Sequence, residues 1–261
     1  MKNILFLVLL SSLIWGCSKS DSANPQLQSD VGVAGSYARF IIKGDFMYVV
    51  DESNLITFSL ADPTTPVQVH TQPIGESVET VYQLNDRLFI GSGSGLYLYT
   101  IGQDGLPVFA GEYLYSNFGF DIEPCDPVVA NDSVAYVTLN TTNRVTRCRV
   151  NTTMGINLLN IFDIKDFNNP VLISQYEMVN PKGVGLDGTI LFVCDGEDGL
   201  KVFDVADPYN IQLLHHFPGF EAYDVIPLNG LLLVIGPDNI YQYDYSELVN
   251  MIRISTIPVG V

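Results

Sequence analysis

The 261-residue chain carries 29 Asp and Glu against 12 Lys and Arg, a formal net charge of −17. Nucleic acid needs a basic face that displaces counterions, and this balance supplies none. Direct adhesion to anionic headgroups is disfavoured for the same reason, so membrane residence would have to come from a separate device.

The amino terminus reads as such a device. Lys2 gives a minimal positive region, Ile4 to Leu10 is an unbroken apolar run, and residues 11–16 lead into Cys17. The run is too short to cross a hydrocarbon core of roughly 30 Å as a helix. Its layout is that of a secretory signal peptide over residues 1–16. The ending Gly16-Cys17 resembles the bacterial lipobox, which implies that Cys17 becomes the lipidated first residue. Trp15 and Ile14 depart from the small residue and the Leu that pattern prefers, and an ordinary signal peptide or a retained anchor is the competing reading. The expected location is the outer membrane or cell surface of a Gram-negative bacterium, with the membrane reached through the N-terminal lipid. Residues 17–35 then form a tether, because Ser18 to Gln26 offers too little apolar surface to fold.

From residue 36 to 261 the chain repeats. Pairs of short apolar strands recur as Phe46–Asp51 with Leu55–Ser59, Leu88–Gly91 with Leu96–Tyr99, and Val134–Val137 with Leu159–Asp163; Leu191–Asp195 with Leu200–Asp204 and Leu231–Ile235 with Ile240–Asp244 follow. Phe58, Tyr99, Phe162, Phe203 and Tyr243 share one column, at spacings of 41, 63, 41 and 40. In the fourth unit Lys182–Leu186 is a first strand, Asp187-Gly188 a hairpin turn, and Gln212–Phe217 a fourth strand after the Asp207-Pro208 turn. Short strands at this period predict an all-β fold: a β-propeller of five blades with four antiparallel strands each. Met251–Val259 supplies the last fourth strand, and nothing in the pattern signals strand exchange between the chain ends.

The third unit is longer by 22 residues. Its insertion, roughly Leu139 to Asn157, holds Arg144, Arg147 and Arg149, half of the arginines in an acidic chain. Insertions in repeat proteins often build a binding face, so these arginines are candidates for an anionic glycan or acidic partner; a solvated loop is the competing reading. Cys125 opens the third unit and Cys148 lies in its insertion, which makes them the natural disulfide pair, worth about 3 kcal/mol if the geometry allows; three free thiols are the competing reading. Cys194 falls on a buried strand, where a thiol acts as a small hydrophobe.

First strands of propeller blades face the central channel. Counting back from the aromatic column Tyr48, Phe89, Tyr136, Phe192 (with Leu233 fifth) places Ala38, Glu79, Asp126, Lys182 and Tyr223 there, followed by Arg39, Thr80, Pro127, Gly183 and Asp224. The next column, Phe40, Val81, Val128, Val184 and Val225, is apolar. A wet channel beside dry inter-blade cores is expected. Arg39, Glu79, Asp126, Lys182, Tyr223 and Asp224 are the channel-ligand candidates; a water-filled channel of compensating charges is the bland alternative.

Met47–Pro66 and Leu191–Pro208 resemble the LVIVD-repeat family of secreted bacterial proteins, and Cys125–Leu139 with Asn160–Gly188 is similar to that family's lipoprotein branch. The resemblance runs from about Ala38 to the end and implies a β-propeller with no catalytic signature. No cofactor is expected. The densest acidic turn, with Asp195, Glu197 and Asp198, suits calcium by its oxygen ligands but lacks the length of an EF-hand loop. The three histidines, His70, His215 and His216, fall on fourth strands away from the channel, and no nucleophile elbow or zinc spacing is present. The expected function is therefore a non-catalytic cell-envelope scaffold for a protein or glycan. The alternative is a hydrolase or lyase at the channel mouth using Glu79, Asp126 and Asp224, since carboxylate sites need no linear motif.

Overall fold

The computed structural model describes residues 35–115, 127–140 and 156–259. Cys17, Cys125, Asp126, Arg144, Arg147, Cys148 and Arg149 lie outside them. The described chain forms five antiparallel sheets of four strands, each in simple sequential order. Blade 1 contains β1 (Phe40–Lys43), β2 (Phe46–Val50), β3 (Asn54–Ser59) and β4 (Val67–Pro73). Blade 2 contains β5 (Val78–Leu84), β6 (Arg87–Ser92), β7 (Gly95–Ile101) and β8 (Pro107–Leu114). In blade 3 these are β9 (Val128–Ala130), β10 (Val134–Asn140), β11 (Asn157–Asp163) and β12 (Val171–Glu177). Blade 4 is β13 (Val184–Asp187), β14 (Ile190–Cys194), β15 (Leu200–Asp204) and β16 (Gln212–Phe217). Blade 5 is β17 (Asp224–Leu228), β18 (Leu231–Ile235), β19 (Asn239–Asp244) and β20 (Ile252–Pro258). First strands of successive blades contact one another, which makes them the inner strands of an all-β five-blade propeller.

The turns follow from the residues that make them. Between third and fourth strands the backbone N–H of Thr64, Asn168 and Tyr209 donates to the carboxylates of Asp62, Asp166 and Asp207. One step earlier, Asp163, Asp204 and Asp244 accept from Lys165, Ala206 and Ser246. Two such Asx turns in succession reverse the chain without a backbone ladder. At the Asp187-Gly188 hairpin Gly188 takes φ +58, the left-handed region that favours glycine.

In every blade the third and fourth strands slip by one residue at the aromatic column: at Thr57/Phe58, Leu98/Tyr99, Ile161/Phe162, Val202/Phe203 and Gln242/Tyr243. These β-bulges leave Val69, Ala110, Ile173, Leu214 and Ile254 as the extra residues and increase the local twist.

Both faces of an inner blade are apolar because each packs on a neighbour. Tyr48, Val50 and Leu55 of blade 1 meet Val81, Leu88 and Tyr99 of blade 2. Phe89 and Leu98 meet Val128 and Phe162, and Tyr136 and Ile161 meet Val184 and Phe203. Phe192, Cys194 and Val202 meet Val225, Leu232 and Tyr243. Fully burying one such side chain contributes about 1.5–3 kcal/mol. Cys194 is a free, buried thiol, and burial pushes its pKa well above the usual value, so it is an inert packing residue.

Blades 5 and 1 differ. All four strands of blade 1 come from one end of the described chain and all four of blade 5 from the other, so among the described residues no strand is exchanged. Among the described residues no buried apolar cluster joins them. Phe40 corrects the expectation of a uniformly dry column: Val81, Val128, Val184 and Val225 are at most 1% exposed, whereas Phe40 is 56% exposed. It lacks a packed neighbour because it faces the junction with blade 5.

Candidate functional site

Strand alternation sends the second-to-third turns and the connections between blades to one face of the propeller. Asn140 and Ile156, where the description of the third blade breaks off and resumes, lie on that face, as do residues 178–183, 195–199 and 218–223. Lys182, Glu221 and Tyr223 meet there. Lys182 Nζ is 3.2 Å from Glu221 Oε1 and 4.0 Å from the centroid of the Tyr223 ring. The ammonium thus has a carboxylate on one side and an aromatic face on the other. Partial desolvation first, and the Glu221 carboxylate second, hold the Tyr223 phenol above its usual pKa.

The backbone that carries Lys182 is pinned by blade 3. Thr138 Oγ1 donates to the Lys182 carbonyl at 2.5 Å, and Asn140 Nδ2 donates to the Pro181 carbonyl at 3.1 Å. The Lys182 N–H donates to the Cys194 carbonyl at 2.7 Å. Asn140 Nδ2 also donates to Asn180 Oδ1, and Asn180 Nδ2 to Glu197 Oε2. Thr138 is fully buried. Its sequence signal was available: it is the one hydroxyl in a column otherwise filled by Val50, Gly91, Cys194 and Ile235.

The remaining channel candidates separate. Glu79 is half-buried and is the extra residue of a bulge between β5 and β6, which re-aims its side chain. Arg39 is exposed, and its carbonyl accepts from the Val50 N–H. Asp224 is engaged by the chain itself: Oδ1 accepts from Ser36 Oγ at 3.0 Å and from its neighbour's Val225 N–H at 2.9 Å. The backbone N–H groups of Ser36 and Tyr37 also favour its ionised form, but burial dominates and raises its pKa. The column that follows the channel position is mostly covered. Thr80 and Ser36 are at most 3% exposed, and Pro127 and Gly183 are buried.

The acidic turn has a structural occupation for each carboxylate. Asp195, fully buried, accepts from the N–H groups of Val179 and Asn180 and pairs with Lys201. Lys201 also reaches Asp198 at 2.8 Å, and His216 Nε2 lies 3.4 Å from the other Asp198 oxygen. Among the described residues no group of three or more His, Cys, Asp or Glu side chains could hold a metal ion. His70, His215 and His216 sit on β4 and β16, where His215 Nε2 contacts the Leu248 carbonyl.

No family model and no curated protein matches this sequence. Solved structures do resemble it. A functionally unknown protein from Desulfotomaculum acetoxidans has a TM-score of 0.61 at 12% identity, over 88% of this chain and 72% of that one. The periplasmic gluconolactonase of Pseudomonas aeruginosa has a TM-score of 0.62 at 14% identity, over 83% and 68%. BamB from Moraxella catarrhalis has 0.51 at 10% identity, over 75% and 54%. At such identities the likeness is one of fold, and it places this chain among the β-propellers.

Proposed function

We propose that this chain is an exported envelope lipoprotein of the LVIVD-repeat type, anchored through Cys17, whose propeller is a non-catalytic scaffold. Its recognition face is the one that carries Lys182, Glu221 and Tyr223, and its partner is an envelope protein or glycan that presents hydroxyl and carboxylate groups. The observation that carries this reading is the Lys182–Glu221–Tyr223 cluster, a cation, an anion and an aromatic face held together on a backbone buttressed by Thr138. Asn140 and Ile156, which bound the stretch holding Arg144, Arg147 and Arg149, lie on the same face.

Against hydrolysis at the mouth stands the engagement of Asp224 by Ser36 and the placement of the histidines on outer strands. The test is in-cell cross-linking followed by purification of the tethered protein from envelopes. Lys182→Met with Tyr223→Ala should abolish the captured partner while a Lys43→Met control, on the opposite end of the ring, retains it. Equal capture by both variants would end the proposal.

A further inference from the structure

The four internal blade interfaces are built from equivalent columns, and the same columns are present at the junction of blades 5 and 1. On the side of a blade that faces its predecessor, Leu88, Ile90 and Tyr99 of blade 2 are buried, as are their counterparts Ala135, Val137 and Phe162 of blade 3. The counterparts in blade 1 are Met47, Val49 and Phe58, and all are only half-buried. On the side that faces the successor, Tyr48, Phe89, Tyr136 and Phe192 are at most 1% exposed. Their counterpart Leu233 is half-buried, as are Ile226, Ile235 and Ile240 around it. Register confirms the assignment, since Ile226, Leu233 and Gln242 lie across from one another on one face, as Ile42, Met47 and Phe58 do on the facing one. Where the other blades place Thr57, Leu98, Ile161 or Val202, blade 5 places Gln242, whose Oε1 accepts from Ser255 Oγ at 2.5 Å.

Among the described residues, what ties the N-terminal end of the ring to its C-terminal end is polar and local. Ser36 Oγ donates to Asp224 of blade 5 at 3.0 Å and accepts from the Val184 N–H of blade 4 at 2.8 Å. Two residues later the Ala38 carbonyl accepts from the Val81 N–H of blade 2 at 2.8 Å. The turn from Gly35 to Ala38 therefore links blade 1 to the inner strands on both its sides. It fits with little tolerance. A Cβ at Gly35 would stand 2.0 Å from Asp224 Oδ2, and one at Gly183 would stand 2.3 Å from Asp224 Oδ1.

We infer that the propeller is a split ring: the junction of blades 5 and 1 is its opening point, and the Gly35–Ala38 turn is the clasp that holds it shut. Blade pairs joined by buried aromatic columns separate only with the whole fold, whereas a junction held by a few hydrogen bonds opens locally. Opening swings blade 1 away from blade 5, withdraws Ser36 from Asp224 and widens the mouth beside Tyr223. The clasp is thus both a fastener and an occupant of the channel's inner end. This inference rests on the packing and the hydrogen bonds alone and stands whatever ligand the mouth receives.

Hydrogen exchange of the purified mature protein, read by peptide, tests it. In the wild type, amides of β1, β2, β17 and β18 should exchange through a local opening, faster than those of β10, β11, β14 and β15. Ser36→Ala and Gly35→Ala should each raise exchange in the first set by about 5- to 30-fold, the factor expected for one or two lost buried hydrogen bonds. The second set should not change. Equal protection of both sets in the wild type would overturn the split ring without any variant. A rise of equal size in both sets with Ser36→Ala would show that Ser36 supports the whole fold rather than a clasp.

Discussion

Phe58 and Phe162 occupy the same column of the repeat, yet Phe162 is fully buried between blades 2 and 3 while Phe58 is half-buried at the ring's junction. The residue type, strand position and bulge are shared, so only the neighbour differs. Phe162→Ala should therefore cost about 3–5 kcal/mol, the range for emptying an aromatic site in a packed core. Phe58→Ala should cost well under half of that. Urea unfolding of both variants gives the comparison, and similar losses would mean that the junction is packed as tightly as the rest.

Asp195 offers a second test. Its carboxylate is buried against Lys201 and holds the N–H groups of Val179 and Asn180, which lead into Lys182. Asp195→Ala strands those donors and leaves Lys201 with Asp198 as its remaining acidic partner, so about 3–5 kcal/mol should be lost. The same variant should loosen the Pro181–Lys182 backbone and weaken partner capture. A thermal scan showing no change would indicate that the turn relaxes around the missing carboxylate.

Two groups of carboxylates should respond to pH in opposite directions. Asp51, Asp163 and Asp198 are held below their ordinary pKa, the first two chiefly by backbone hydrogen bonds and the third chiefly by Lys201. Their stabilisation is present above the unfolded value and is lost as pH falls through the lowered folded value. Asp224 is raised by burial, so its folded form keeps a proton that the unfolded chain has released. Its favourable contribution is complete below the ordinary carboxylate range and is lost as pH rises through the raised value. Mild acidification should therefore tighten local protection around β17 while global stability declines. Asp224→Asn should remove the local trend and keep the global one; exchange measured across that window would reveal it.

If Cys17 is lipidated on export and Cys125 and Cys148 are paired, the chain should yield one alkylatable thiol after unfolding without reductant, Cys194. Reduction should add two. Intact mass after alkylation reads this directly, and three thiols before reduction would remove the disulfide.

Much of the architecture was legible because each strand is short, apolar and set at a constant spacing. Counting columns also brought Lys182 and Tyr223 to one place. Glu221 escaped because it lies in a connection between blades, where no strand register assigns a column. Asp224 was legible as a channel residue but not as an engaged one, since Ser36 is 188 positions away and carries no pattern of its own. The junction was invisible for a related reason. A column treats all five blades as equivalent, and the physical difference arises only when the first and last meet around the ring.

The bulge repeated in every blade has a consequence for how this protein behaves in a crowd. Each fourth strand is an open edge, and several carry exposed apolar residues: Val67 and Val69 on β4, Val108 and Phe109 on β8, Leu213 and Leu214 on β16, and Ile252 and Ile254 on β20. Flat edges of that composition would template pairing with another chain and seed aggregates. A one-residue slip on the inner side of each edge strand twists it out of the flat geometry that such pairing needs. The same irregularity that seats the aromatic column thus lets these sticky rims sit in a crowded medium without joining.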